Sequence, residues 1–166
     1  MSERPSLTHL NAAGEAHIVD IGDKASTRRR AVAQALLEAK AETIDAILGG
    51  TLKKGDALAV ARIAGIMAAK RTSELIPLCH PIALTSVEVA ITAEPDGTNL
   101  RIVATAETTD RTGVEMEALT AAAVAGLTLY DMAKAIDRGM RLSGVELMEK
   151  TGGKSGDFRR GTVATS

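Results

Sequence analysis

The order of periodicities along this 166-residue chain predicts an α+β fold of the split βαβ kind, an antiparallel sheet packed against helices. Three observations carry that prediction. An Ala-rich segment after Gly55 repeats its apolar residues at helical spacing; two runs either side of Pro95-Asp96-Gly97 alternate apolar and polar side chains; a longer helical segment then precedes a last apolar-rich stretch.

Taken in order, residues 1–14 have no apolar period and read as a mobile arm, while residues 16–21, with His17, Val19 and Ile21 on one face, read as a short strand. From residue 27 to 48 the local preference is helical, because Ala, Leu, Gln, Glu and Lys dominate and Gly49-Gly50 supplies a stop. Asp56 is placed to cap a helix whose apolar positions Ala59, Ile63, Ile66 and Met67 form one stripe, and which ends at Lys70-Arg71, where cations suit the helix dipole. Pro77 and Pro81 bracket a stiff loop. Val87, Val89 and Ile91, then Leu100, Ile102 and Ala104, form the two arms of a β-hairpin. Residues 113–137 are the longest helical segment, with Leu119, Ala123, Leu127 and Tyr130 as its stripe and Gly139 as a stop; Met140, Leu142, Val145 and Leu147 point to a final strand. No linker or repeat divides residues 15–158, which read as one domain followed by a tail, 159–166.

Composition narrows the function. Twenty basic against twenty-one acidic residues leave a net charge of −1, and the only aromatics are Tyr130 and Phe158. Such a chain offers neither a basic field for duplex DNA nor a stacking platform for single strands, so nucleic acid is not the expected partner. The longest uncharged stretches fall short of the ~20 residues of a membrane span, no secretory signal is visible, and Cys79 has no internal partner, all of which fits a cytoplasmic protein. Abundant Ala with few large side chains gives little apolar area per residue to bury within one subunit, which favours an oligomer.

Several residue groups can carry chemistry. Gly153-Lys154-Ser155 evokes a phosphate-cradling loop, but the first glycine of that motif falls on Met148, and the choice is between a glycine-rich arm delivering Lys150 or Lys154 to an anion and a solvated tail. Cys79 and His80 share the Pro-bracketed loop. One Cys and three scattered His do not make a structural metal site, and His80 reads either as a loop-stabilising residue or as a phosphate donor and proton carrier. Asp131 and Lys134, at i and i+3, meet on one helix face; Glu117, fourteen positions earlier, falls within ~40° of Asp131 around the axis. Such a pair is usually a surface ion pair, and becomes catalytic where burial and neighbours tune its protons. Lys53-Lys54 before the helix start, and Arg28, Arg29 and Arg30, complete the cations that suit a polyphosphate.

These motifs together resemble one family. Lys54-Gly55-Asp56, Ala69-Lys70-Arg71-Thr72, Ile76-Pro77-Leu78-Cys79-His80-Pro81, Thr112-Gly113-Val114-Glu115-Met116-Glu117, Tyr130-Asp131-Met132-Ala133-Lys134 and Lys150-Thr151-Gly152-Gly153-Lys154 are similar, in order, to the signatures of the cyclic pyranopterin monophosphate synthases, also called molybdenum cofactor biosynthesis protein C. The resemblance covers about residues 8–158.

It implies an enzyme that converts 3′,8-cyclo-7,8-dihydroguanosine 5′-triphosphate into cyclic pyranopterin monophosphate and diphosphate. It also implies a ferredoxin-like fold, a homohexamer built as a trimer of dimers and active sites between subunits; no cofactor is expected, and the residues show no protein metal site. Residues 28–37 become strand on this view, against the local helical preference. Carried over by motif, Asp131, Lys134 and Lys54 are the catalytic residues, with Asp131 and Lys134 moving protons and Lys54 stabilising charge or acting as an acid. Arg29, His80 and Lys150 bind phosphate, Arg29 being favoured over Arg28 and Arg30 by its spacing from Asp20. Glu115 and Glu117 hold the purine-derived ring, and Cys79, Met116 and Lys154 complete the substrate-binding set. The rival reading is a non-catalytic oligomeric nucleotide-binding module.

Overall fold

The computed structural model describes residues 9–161. The expected arm and tail therefore lie partly outside the described residues, at 1–8 and 162–166. Five antiparallel strands, β1 (Thr27–Glu38), β2 (Leu84–Ala93), β3 (Asn99–Asp110), β4 (Arg141–Thr151) and β5 (Phe158–Arg159), form one sheet in the order β2-β3-β1-β4-β5. Helices α1 (Ala41–Leu48), α2 (Ala57–Lys70), the single turn α3 (Thr72–Leu75) and α4 (Glu115–Ala133) complete the chain. The α+β class and the split βαβ order hold.

β1 is the central strand, and it overturns the local helical expectation for residues 27–38. Its Ala, Leu and Gln favour helix only weakly. Both of its edges are occupied, by β3 from Thr27↔Asp110 to Glu38↔Asn99 and by β4 from Arg30↔Thr151 to Glu38↔Arg141. Two ladders outweigh a fraction of a kcal/mol per residue of propensity. Ala31, Ala33, Ala35 and Leu37 alternate into the core, as a strand requires, and the strand assignment for 28–37 drawn from the family resemblance agrees. Residues 16–21, by contrast, form no strand: only an isolated bridge joins Leu10 to Ala16. Two carbonyls of this stretch and its continuation are taken by side chains instead, Val19 by His80 and Gly22 by Arg111.

Asp56 caps α2 as expected, its Oδ1 accepting from the Ala59 N–H at 3.0 Å. The face that α2 buries differs from the expected stripe. Ile63 and Met67 are exposed, whereas Ala57, Ala61, Gly65, Ala68 and Ala69 are buried. α4 repeats the pattern: Leu127 is exposed, while Ala118, Ala121, Ala122 and Ala125 are buried. Here small size, not hydrophobicity, selects the inward face, because α2 and α4 approach too closely for larger side chains. A Cβ at Gly65 would lie 2.9 Å from the Ala121 carbonyl oxygen and 3.1 Å from Val89 Cγ2. The larger core side chains, Leu37, Ile44, Ile47, Leu100, Ile102 and Leu129, fill the layer between sheet and helices.

Gly65→Ala is therefore destabilising although alanine is the better helix former. The obstacle is backbone, and about 1–3 kcal/mol of overpacking is expected, read as a lower midpoint in denaturant with an unchanged slope. A midpoint at or above that of the unsubstituted protein would mean that the α2–α4 contact can open.

Candidate functional site

α4 carries functional groups at both ends. At its C-terminal end, Asp131 holds two ammonium groups: Lys134 Nζ lies 2.8 Å from Oδ1, one turn along the helix, and Lys54 Nζ lies 2.8 Å from Oδ2. Lys54 also donates to the Asp131 backbone carbonyl at 2.9 Å, which pins the turn before α2 to the end of α4. The two lysines, Lys134 first, hold the Asp131 carboxyl down at about 2. All three side chains are about half exposed, with Lys134 at 52%. Asp131 is thus a fixed anion that keeps two cations apart yet adjacent, and both keep donors free for an incoming anion.

At the N-terminal end two adjoining hollows share Thr112, Gly113 and Glu115. One, about 370 Å³, is basic: Lys24, Arg29, Arg111, Lys150 and Lys154 line it. Arg29 donates through Nε to the Asp110 carbonyl and through Nη2 to the Arg111 carbonyl, at 3.0 and 3.2 Å. Its guanidinium occupies the space where a Cβ on Gly153 would stand, and Gly153 takes φ +85°, so the Gly152-Gly153 turn is shaped around Arg29. Lys150 donates to Ser155 Oγ at 2.5 Å and lies 3.5 Å from a Glu115 carboxylate oxygen. The other hollow, about 440 Å³, is lined by Cys79, His80, Met116 and His9 among mostly apolar neighbours. His80 Nε2 lies 2.7 Å from the Val19 carbonyl oxygen, which can only accept; Nε2 therefore carries the proton, and Nδ1 is left for another partner. A wider concavity, about 690 Å³, lies elsewhere, beside Glu38 and Arg141, whose charges are spent on each other.

Glu117 stands behind this wall. Only 2% of it is exposed, Oε2 is buried without a partner, and Oε1 accepts from the Cys79 thiol at 3.8 Å. Burial pushes its carboxyl up to about 7, offset in part by its own backbone N–H and by Cys79. Burial and the Glu117 charge likewise push the Cys79 thiol up to about 11, so Cys79 is a neutral donor and not a thiolate nucleophile.

The structure thus groups the expected residues into two sets. Lys54, Asp131 and Lys134 meet; Arg29, Cys79, His80, Glu115, Met116, Glu117, Lys150 and Lys154 gather at the other end. Asp131 comes sixteen positions after Glu115 on the helix, about 24 Å at 1.5 Å per residue. Glu117 and Asp131 keep the expected angular relation on the continuous helix α4, but Glu117 is buried and Asp131 exposed, about 21 Å further along the axis. Arg111 and Lys24 escaped the sequence reading. The signal for Arg111 was its place directly before Thr112-Gly113; Lys24, in an irregular loop, gave none. Among the described residues no three His, Cys, Asp or Glu side chains group as a metal site, and no helix is long and apolar enough to cross a membrane.

A split βαβ domain that sets a basic hollow at one end of α4 and, at the other, a lysine–aspartate–lysine cluster completed by Lys54 from the turn before α2 belongs to the α+β class and has the charge to hold a small anion. Comparison with known proteins makes this particular. The MoaC family model matches residues 18–153, and the chain belongs to that family. It is 59% identical, over 153 residues, to a protein named cyclic pyranopterin monophosphate synthase from Herpetosiphon aurantiacus, covering 92% of this chain and 93% of that one.

The Glu117 environment yields a pH dependence with a definite sign. Folding raises this carboxyl from 4.5 to about 7, so the folded protein holds the proton more tightly than the unfolded chain. The resulting contribution is full below pH 4.5 and is lost as the pH rises through about 7, amounting to roughly 3 kcal/mol at most. Glu117→Gln removes that slope. The difference in unfolding free energy between Glu117→Gln and the unsubstituted protein is expected to grow in favour of Gln between pH 5 and 8; a difference that does not vary with pH would show that Glu117 is ionised throughout.

Proposed function

We propose that this chain is a cyclic pyranopterin monophosphate synthase, acting on 3′,8-cyclo-7,8-dihydroguanosine 5′-triphosphate with release of diphosphate in molybdenum cofactor biosynthesis. Family membership supports the reading, and the observation that carries it is the pairing of a five-cation hollow with the Lys54–Asp131–Lys134 cluster. Expelling diphosphate gathers negative charge on the leaving oxygens, so preorganised cations are the chief requirement. Arg29, Lys150, Lys154 and Arg111 meet the phosphates, with His80 offering its ring from the neighbouring hollow. Because Arg29 already spends Nε and Nη2 on backbone carbonyls, it presents Nη1 in a fixed direction. Glu115, on the wall shared by the two hollows, accepts from the N–H groups of the purine-derived ring, with Cys79 and Met116 beside it, while the buried Glu117 acts from behind by accepting from the Cys79 thiol.

The catalytic work falls to the other cluster. Asp131, ionised at any working pH, orients both lysines; Lys134 transfers protons while the ring opens and recloses, and Lys54 stabilises the charge on the departing oxygen.

One chain keeps these two groups about 24 Å apart, and a second copy joins them. The outer stripe of α4 runs Met116, Thr120, Ala123, Leu127, Asp131, Lys134, at spacings of three and four, and exposes Met116 and Leu127. A two-fold axis across the middle of this stripe sets the C-terminal end of one α4 against the N-terminal end of its partner and makes two equal composite sites. Three such pairs give the homohexamer, active in the reducing cytoplasm where Cys79 stays a free thiol.

Two measurements test this reading. Lys134→Ala is expected to lower kcat by at least about a hundredfold, the range for a lost general acid or base, while the assembly keeps its mass; normal turnover would remove Lys134 from the chemistry. Asp131→Ala and Lys150→Ala, each inactive alone, should recover up to about a quarter of full activity when refolded together, because half of the random pairs are mixed and each mixed pair restores one intact site. No recovery from folded, mixed oligomers would place both clusters in one chain's site.

A further inference from the structure

The two margins of the sheet are built differently. At one, β5 is two residues long, carries Arg159 and is followed by Arg160, a short and charged edge of the kind that resists further pairing. At the other, β2 has ten residues and pairs with β3 alone; among the described residues no second strand meets its free side. A free edge of this length offers a row of unpaired N–H and C=O groups, which single chains usually blunt with Pro, Lys, bulges or brevity. The one irregularity in β2 falls between Leu84 and Ser86. From Ser86 onward the strand is regular, lacks Pro and Lys, and bears a single charge, Glu88. Its faces are sharply divided: Val89 and Ile91 are buried and Val87 half-buried against the helices, while Ser86, Glu88, Ala90 and Thr92 are exposed.

We propose that β2 is an assembly edge whose occupant is β2 of a second copy, paired antiparallel about a two-fold axis through Val89. A two-fold axis normal to the sheet makes the pairing antiparallel and keeps each face on its own side, so it must pass through a residue. With Val89 opposite itself, Val87 meets Ile91 and the apolar layer beneath the helices continues from one copy to the next. On the other face Glu88 meets Ala90 and Ser86 meets Thr92, so no like charges are opposed. An axis through Glu88 sets two carboxylates opposite one another; through Ile91 it opposes Glu88 to Glu94; through Ala90 it leaves Val87 against Ala93. The Val89 register alone matches the large apolar residues with one another and keeps the charges apart. This edge is a different surface from the outer stripe of α4, and the inference stands whether or not the synthase reading does.

Oxidative crosslinking tests the edge and its register together. In the Glu88→Cys/Ala90→Cys double variant, each new thiol faces the other kind across the axis at a separation within disulfide reach, whereas identical positions lie diagonally about 7–8 Å apart. Oxidised with diamide at low micromolar concentration, the double variant is expected to run as a covalent dimer on a non-reducing gel and as a monomer after reduction. Either single variant, and the unsubstituted protein as a control for Cys79, should stay monomeric. A double variant that crosslinks no better than the singles would overturn the proposal, and crosslinking by Ala90→Cys alone would overturn the register. A charge test reads the same contact in the native assembly. Ala90→Glu opposes two carboxylate pairs and is expected to weaken self-association about tenfold, while Ala90→Lys, facing Glu88, does not; equal behaviour of the two in sedimentation would leave β2 exposed to solvent.

Discussion

The close approach of α2 and α4 is the constraint on which the rest of this molecule depends. Gly65 sits against the Ala121 carbonyl and Ala125, with no room for a Cβ, and the alanines around them leave neither helix free to slide. That contact fixes the position of α4 over β1 and β3. It also brings the turn before α2 beside the end of α4, where Lys54 reaches both the carboxylate and the carbonyl of Asp131. A helix held this firmly can carry functional groups at both ends without blurring their separation.

Charge is then managed differently at the two ends. Around Asp131 a single carboxylate serves two ammonium groups, so the cluster is cationic by one and stays half exposed, ready to meet an anion without first losing a partner. At the other end Arg29 is tied to the carbonyls of Asp110 and Arg111 and Lys150 is near Glu115, while Lys24, Arg111 and Lys154 complete the rim. Positive groups gathered this closely repel one another, and backbone carbonyls and Glu115 relieve part of that repulsion. Behind them Glu117 is buried and Cys79 half-buried at the wall of the second hollow, and desolvation pushes both groups up, toward their neutral forms.

Packing with small residues has a second consequence. Alanine and glycine on the inner faces push the larger apolar side chains outward, so Ile63, Met67 and Leu127 are exposed on the single chain. The outer stripe of α4 and the free edge of β2 are the two surfaces proposed above to receive a second copy, and closed symmetric oligomers are built from isologous contacts of that kind.

The sequence by itself determined the hairpin, the Asp56 cap and the two long helices, and it singled out most of the polar residues that meet at either end of α4, though not Lys24, Arg111 or His9. These rest on local facts: alternation, turn chemistry at Pro95-Asp96-Gly97, and motifs whose spacing is covalent. Tertiary structure decided three things. It made β1 a strand, because two ladders outweigh the slight helical preference of its alanines and leucines. It turned the alanine faces of α2 and α4 inward and the Ile63 and Leu127 faces outward, since contact distance, invisible in a hydropathy pattern, selects for size. It also separated Glu117 from Asp131, because helical angle records only direction around an axis, while sixteen residues of rise between Glu115 and Asp131 and the burial of one face set where a side chain can act.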